Sequence, residues 1–326
     1  MEIKIKLIQW YLLHQRALPF RDSRNPYHIW ISEIMAQQTQ INTMIPYYLR
    51  WIKHFPTIVS VAQAQENEIL KMWEGLGYYR RARSVQAAAK KIVSDFNSSI
   101  PDSYEDIRSL PGIGDYTASA IISIAFNKPI VAVDGNVIRV VTRLFGIEAD
   151  PSKKSTIQTI KGKLSFFLDD ENNNILTQAW MELGALVCTP KNPKCLECPL
   201  NKECYANVND MQASLPKINK RKQVKTEYYD VLVNTSKDSI LMSLDDNDGL
   251  MTGMYRLPQI EQQTREFTPN YKTKHVFSHK IWNLNIYLNQ LNLEKEDWVS
   301  LKLDELKKVP IITAHRKIIR KLLKCD

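Results

Sequence analysis

The chain has 326 residues, enough for two or three domains with their own cores, and carries 44 Lys and Arg against 35 Asp and Glu, a formal net charge of +9. That balance suits a polyanionic partner, because each phosphate neutralised by a cation releases a condensed counterion, although basic charge alone does not single out nucleic acid. No run approaches the roughly 18 apolar residues of a membrane helix, and residues 1–7 alternate charge with apolar groups instead of forming a signal-peptide core, so the expectation is a soluble intracellular protein with no membrane partner.

Up to about residue 204 the pattern is helical: apolar residues recur at spacings of three and four, broken by turn signals at Asn25-Pro26, Phe55-Pro56 and Gly75-Leu76-Gly77. Asn25 and Pro26 make an N-cap and N1 pair for a helix whose apolar residues run all round it. At about 100° per residue, Glu33 falls between Ile29 and Trp30. A carboxylate buried there costs free energy unless it is protonated or serves a purpose, and burial raises its pKa towards what a general acid near neutral pH needs. A structural ion pair is the other reading.

Further on, Leu110-Pro111-Gly112-Ile113-Gly114 precedes a helix expected to start near Tyr116. Two glycines one apart allow a tight hairpin with positive φ and let backbone N–H groups approach an anion. This is the signature of a helix-hairpin-helix, which grips a DNA phosphate without reading sequence; an ordinary helical connection is the bland alternative. Twenty residues later, Asp134 in Val133-Asp134-Gly135-Asn136-Val137 stands where a helix should begin, with Gly146 placed to end it. Asp134 is either a helix cap alone or a carboxylate facing a cleft.

Four of the five cysteines, Cys188, Cys195, Cys198 and Cys204, crowd into seventeen residues as C-x6-C-x2-C-x5-C. An odd cysteine count argues against a disulfide framework and for a metal site. Four thiolates on a compact loop suit a tetrahedral zinc or a cubane iron–sulfur cluster, and the spacing leaves both open. Cys325 stands outside this group. Residues 206–225 read as a polar and basic linker between a helical domain, 1–205, and a smaller α+β domain, 226–326. In the latter, Tyr228-Tyr229-Asp230-Val231-Leu232-Val233 favours a strand. Trp282, Leu284, Ile286 and Leu288 alternate with polar or amphipathic residues in a second strand, and a last helix spans about 313–323 with Thr313 as its N-cap.

Together, Ser32-Glu33-Ile34-Met35-Ala36-Gln37-Gln38-Thr39-Gln40, Gly75-Leu76-Gly77-Tyr78-Tyr79-Arg80-Arg81-Ala82-Arg83, the Leu110–Gly114 hairpin, Val133-Asp134-Gly135-Asn136-Val137 and the four cysteines resemble, in order and spacing, the MutY-type adenine DNA glycosylases of the endonuclease III and helix-hairpin-helix superfamily. The resemblance covers essentially the whole chain. It implies a mainly α, helix-hairpin-helix glycosylase domain with one 4Fe-4S cluster on Cys188, Cys195, Cys198 and Cys204, and thereby chooses iron over zinc. Bifunctional relatives carry a lysine two residues after the hairpin's second glycine; here that position is Tyr116, which cannot form a Schiff base. A monofunctional enzyme is therefore implied.

By the same resemblance, Glu33 protonates an extruded adenine and Asp134 stabilises the oxocarbenium-like sugar or bonds to it transiently. Asn136 orders one of these carboxylates, and Tyr116 hydrogen-bonds near the departing base. Gln38 and Tyr78 would enter the base stack beside the oxidised guanine, with Arg21 and the hairpin glycines Gly112 and Gly114 also contacting DNA. Gly249-Leu250-Met251-Thr252-Gly253-Met254-Tyr255-Arg256-Leu257-Pro258 is similar to a run in the family's Nudix-like C-terminal domain, with Tyr255 where Trp is usual, and the Nudix catalytic box is missing. Phe277-Ser278-His279 matches that domain's 8-oxoguanine-contacting loop. The implied partner is duplex DNA with an 8-oxoguanine:adenine or guanine:adenine mismatch, bound by a monomer in the cytoplasm at the bacterial nucleoid. Two rivals are a bifunctional pyrimidine-lesion glycosylase and a non-enzymatic, redox-sensing DNA-binding protein. The missing lysine and the extra domain count against the first, and the retention of both Glu33 and Asp134 counts against the second.

Overall fold

The computed structural model describes residues 2–21, 23–217, 224–244, 251–262, 268–277, 280–289 and 298–323. In chain order the helices are α1 (Glu2–His14), α2 (Pro26–Ala36), α3 (Ile41–His54), α4 (Ile58–Gln63), α5 (Glu66–Trp73), α6 (Arg80–Asp95), α7 (Tyr104–Arg108), α8 (Asp115–Phe126), α9 (Gly135–Phe145), α10 (Lys154–Ser165), α11 (Asn173–Leu186), α12 (Tyr205–Val208) and α13 (Thr313–Leu323). The strands are β1 (Lys225–Val233), β2 (Ser239–Ser243), β3 (Gln259–Glu261), β4 (Tyr271–Val276), β5 (Lys280–Leu288) and β6 (Trp298–Lys302). A helical first part is thus followed by a smaller α+β region, and among the described residues no helix is long and apolar enough to cross a membrane. By packing, the chain forms two compact units, Met1–Ile52 with Lys91–Lys220, and Lys53–Lys90 with Arg221–Asp326.

In the first unit, α9 lies in a core shared with α1, α10 and α11, where Leu7, Val137, Val141, Ile160 and Ala179 are fully buried. The ends of α9 follow from its sequence. Asp134 caps it, its side chain accepting from the Val137 N–H at 2.7 Å, and Gly146 closes it in the left-handed region at φ 63°. A side chain at Gly146 would also strike the Tyr205 ring. Helices α9 and α11 pack so tightly that a Cβ on Gly184 would lie 2.6 Å from the Asn136 Cβ. The hairpin joins α7 to α8, but only Gly112 takes positive φ, at 75°. Gly114, at φ −87°, is instead the N-cap of α8, which begins at Asp115, one residue before the expected start.

The expected linker starts as packed structure: α12 buries Ala206, and Leu215 is buried with its carbonyl accepting from Arg143 Nε at 3.0 Å. Residues 218–223 lie outside the described residues.

In the second unit a four-stranded mixed sheet has the order β3-β1-β5-β4, with β1 parallel to β5 and the other pairs antiparallel, and β2 pairs with β6. The alternation read in β5 holds for Trp282, Leu284 and Ile286, which are buried; at the strand end Tyr287 is buried in place of Leu288. Helix α13 packs Ala314, His315, Ile318 and Ile319 inward, and Thr313 is its first residue rather than its cap. His315 is neutral: burial pushes its pKa down to about 3, its Nδ1 accepts from the Leu257 N–H at 2.9 Å, and its Nε2 faces Gln259 Oε1 at 2.9 Å. Helix α5 belongs to this unit, since Glu74 just beyond it accepts from Arg316 Nε at 2.6 Å, and the Tyr79 and Thr313 hydroxyls meet at 3.1 Å.

Candidate active site and iron–sulfur centre

A cavity of about 670 Å³ in the first unit is lined by residues of α2, α8, α9 and α11 and of the segments beside them, among them Glu33, Gln38, Tyr116, Asp134 and Asn136. Asn25 caps α2 by accepting from the Tyr27 N–H, and Pro26 opens the helix. This fixes the frame in which Ile29, Trp30, Ile31 and Ile34 are buried while Glu33 turns its carboxyl to the cavity. Burial pushes Glu33 up to about 7, and the nearby Asp134 charge adds to this. A hydrogen bond from the Tyr116 hydroxyl to Oε2 at 2.6 Å and the Arg21 charge pull the other way without cancelling it. Tyr116 itself stays a phenol, its pKa raised by burial and by the carboxylates it faces.

Asp134 shows that the two readings of its position do not compete. One oxygen caps α9 and the other accepts from Asn136 Nδ2 at 2.8 Å, while the group lines the cavity. Burial raises its pKa too, but the Val137 N–H and the Asn136 amide oppose this by stabilising the carboxylate. Glu33 accepts from one phenol and Asp134 from an N–H and an amide. The site therefore favours a protonated Glu33 beside an ionised Asp134 near neutral pH.

Sequence reasoning missed two groups here. Glu182, on α11, lines the cavity with its side chain 1% exposed, accepting from Arg16 Nη2 at 2.8 Å and Arg21 Nη2 at 2.6 Å. It sits at about 2, lowered by these arginines against the burial that would raise it. Arg21, expected to contact DNA, lines the same cavity within this ion pair. Arg139 donates to Asn136 Oδ1 at 2.8 Å, to the Gly184 carbonyl at 2.6 Å and to the Cys188 carbonyl at 2.6 Å. No local pattern marks either group, because most of their partners are distant in sequence or provided by main chain.

All four loop cysteines, none of them in a disulfide, line one small cavity with Arg143. Arg143 is buried and donates to Cys188 Sγ at 3.3 Å, a cation placed where a set of thiolates needs one. Burial pushes the Cys198 thiol up to about 12, so this sulfur needs a metal to hold it as a thiolate. Among the described residues no group of three or more His, Cys, Asp or Glu converges on a single-ion site. Four cysteine sulfurs on one small cavity beside a buried cation are a donor set that fits an iron–sulfur cluster.

Gln38 and Tyr78 share an unusual backbone. Among the described residues, eight non-glycine residues have positive φ; six are Asn, Asp or Ser, and the others are Gln38 at 56° and Tyr78 at 50°. Long side chains seldom adopt this conformation, and such strain gathers at functional positions. In the second unit, the Arg81 guanidinium lies 5.4 Å from the Trp73 ring centroid and 5.3 Å from that of Tyr78, holding the latter from below. Phe277 rests edge-on against Trp282 at 4.7 Å and donates its N–H to the Lys280 carbonyl at 2.8 Å. Ser278 and His279, like Gly249 and Leu250, lie outside the described residues.

Comparison with known proteins bears on this geometry. Residues 31–165 match the family described as HhH-GPD superfamily base excision DNA repair protein, and residues 188–204 match the iron-sulfur binding domain of endonuclease III, so the cysteine loop is a 4Fe-4S site. The chain is 34% identical to the adenine DNA glycosylase of Buchnera aphidicola subsp. Baizongia pistaciae over 98% of its length and 96% of that protein. It is 31% identical to the adenine DNA glycosylase of Rattus norvegicus over 96% of its length and 76% of that protein. Among solved structures, a thermostable thymine-DNA glycosylase is similar at a TM-score of 0.58 and 24% identity, over 64% of this chain and 95% of that one. A trapped endonuclease III–DNA covalent intermediate is similar at 0.55 and 24%, over 64% and 97% respectively, a likeness of fold. The chain is a DNA N-glycosylase and belongs to the adenine DNA glycosylase family.

Proposed function

We propose that the protein excises adenine mispaired with 8-oxoguanine or guanine in duplex DNA, hydrolytically and without an obligatory strand-cutting step. The observation that carries this reading is the pair of carboxylates on one cavity, Glu33 pushed up to about 7 and Asp134 held by two donors. Adenine extruded from the stack enters the cavity, and Glu33 delivers its proton to ring nitrogen 7. The glycosidic electron pair leaves with the base, and the positive charge at the sugar is met by the Asp134 carboxylate, by field or by a transient bond. Water then attacks the sugar carbon and loses a proton, leaving an abasic site. Asn136 holds Asp134 in orientation, and Tyr116, bonded to Glu33, steadies the acid.

Gln38 and Tyr78 enter the stack, while Arg21 and the hairpin glycines Gly112 and Gly114 belong to the DNA-facing set. Phe277 with Ser278 and His279 reads the opposite base. The cluster, when bound, gives the loop its fold and charge. The domain boundaries at 205 and 226 and a monomeric state are part of the same reading, and bacterial relatives support a place at the nucleoid.

Incubation with 8-oxoguanine:adenine, guanine:adenine and oxidised-pyrimidine duplexes, followed by alkali, tests the proposal. Cleavage at adenine is expected on the first two, with faster excision opposite 8-oxoguanine. Borohydride should trap little adduct with the natural chain and more with Tyr116→Lys. Efficient trapping by the natural chain, or action on the pyrimidine lesion alone, overturns it.

A further inference from the structure

The cysteine loop does not enclose its site alone. Beyond Cys204, the last of the four cysteines, Asn207 and Gln212 also line the cluster cavity. A series of turns brings the chain back to it: the Asn207 N–H donates to the Cys204 carbonyl at 3.0 Å, the Met211 N–H to the Ala206 carbonyl at 2.8 Å and the Leu215 N–H to the Met211 carbonyl at 3.2 Å. Ala206 and Leu215 are buried, and the Leu215 carbonyl accepts from Arg143, the cation already bonded to Cys188 Sγ. A polar chain links the same segment to the loop. Asn207 Nδ2 donates to the Asn201 carbonyl at 3.0 Å, and Gln212 Nε2 to Asn207 Oδ1 at 3.4 Å. The Gln212 side chain also hydrogen-bonds to Cys195, in the direction that favours a thiolate there.

We propose that residues 205–215 are an outer wall of the cluster site, in which Gln212 is a positioning residue for the ligand Cys195 and sets how readily the cluster is oxidised and lost. An iron-bound thiolate keeps lone pairs that a donor can reach, and a hydrogen bond to such a sulfur favours the more negative, reduced form of the cluster. Cys195 is where this matters, because Leu196 and Glu197 beside it are exposed and Cys195 itself is only half-buried. Taking the donor away lowers the potential and also opens the side from which an oxidant arrives. The wall is at the same time the stretch by which the chain leaves the first unit, which ends at Lys220, so the cluster's cover and the start of the tether are one piece of chain. The cysteine spacing gives no sign of Gln212, which stands eight residues past Cys204. The inference is independent of which base the enzyme removes.

The test uses the full chain with its cluster and two variants at the half-buried Gln212. Gln212→Leu removes the donor and keeps the bulk, and Gln212→Glu keeps the shape but sets a negative charge beside the sulfur. Lys217→Ala is the control: it breaks the pair with Glu148 that ties down the same segment, and Lys217 does not line the cavity. Two quantities are measured on each chain, the midpoint potential of the cluster by voltammetry and the rate at which its visible absorbance is lost to ferricyanide, a one-electron oxidant. Gln212→Leu should have a lower potential and lose its cluster about ten-fold faster, Gln212→Glu should lie lower still, and the control should match the natural chain in both. The natural potential in both Gln212 variants overturns the positioning role, even if the cluster is lost faster, since a breached wall alone would do that. Loss as fast in Lys217→Ala as in Gln212→Leu overturns the assignment to Gln212, because loosening of the segment would then account for it.

Discussion

The α2 and α11 walls of the first unit's cavity each hold one glutamate, and the two stand at opposite ends of the carboxylate range. Glu33 is pushed up to about 7 and Glu182 drawn down to about 2. Burial raises both, so burial does not set them apart. What differs is the supply of donors: one phenol for Glu33, against two guanidinium groups and the Arg16 N–H for Glu182. The chain keeps one glutamate ready to give a proton and spends the other on fixing the stretch between α1 and α2. A buried acid becomes a reagent when its neighbours leave it short of donors, and a strut when they saturate it.

The comparison breaks most visibly in rate. Glu33→Gln is expected to slow single-turnover adenine excision about a hundred- to ten-thousand-fold with mismatch binding retained, the range of a lost general acid. Asp134→Asn should be comparably slow, whereas a lost helix cap would cost about 1 kcal/mol of stability and little rate. Excision at the natural rate in Glu33→Gln removes the residue from this role.

Glu182→Gln probes the other wall. It leaves two guanidinium groups short of their counter-ion, and a loss of about 3–5 kcal/mol in unfolding free energy is expected at pH 7. Because Glu182 lies below the ordinary carboxylate pKa in the folded chain, its contribution is complete above about 4.5. It fades as pH falls towards about 2, so the deficit of the variant should shrink in acid. Chemical denaturation at pH 7 and pH 3 checks both points.

Glu33 carries the opposite sign. Its folded pKa lies above the ordinary value, so its own contribution to stability is most favourable below about 4.5 and is lost as pH rises through about 7. Glu33→Gln should therefore gain stability at pH 8, by up to about 2 kcal/mol, while losing activity. A destabilised variant at that pH would mean the carboxylate is held by groups other than those described.

The smallest effect is a shift along the pH axis. The natural chain should lose excision rate as pH rises through about 7, where its acid deprotonates. Tyr116→Phe removes the hydrogen bond that lowers Glu33, so this limb should move to higher pH. An unmoved limb would assign the titration to another group.

Much of this site could be read before any coordinates. Asn25-Pro26 set the frame of α2, and the apolar residues around Glu33 left a carboxylate with an unexplained place. Asp134 and Gly146 bracketed α9, and the cysteines stood out by spacing. These signals are local. Glu182 escaped because its meaning depends on Arg16 and Arg21, more than a hundred and sixty residues earlier. The same limit hid the membership of residues 53–90 in the second unit, which shows only when Glu74 meets Arg316. The glycines at 112 and 114 looked equivalent, and only the backbone separates a left-handed turn from a helix cap.

The left-handed backbone at Gln38 and Tyr78 has a consequence for how this sequence would drift. Each long side chain there holds a conformation that glycine or asparagine adopts more easily, at a cost of about 1 kcal/mol. A population of such chains selected for heat resistance alone, with no genome to protect, would discard both residues early. Their persistence would then report that repair is under selection, and a thermostabilised descendant lacking them would be a robust protein that had forgotten its trade.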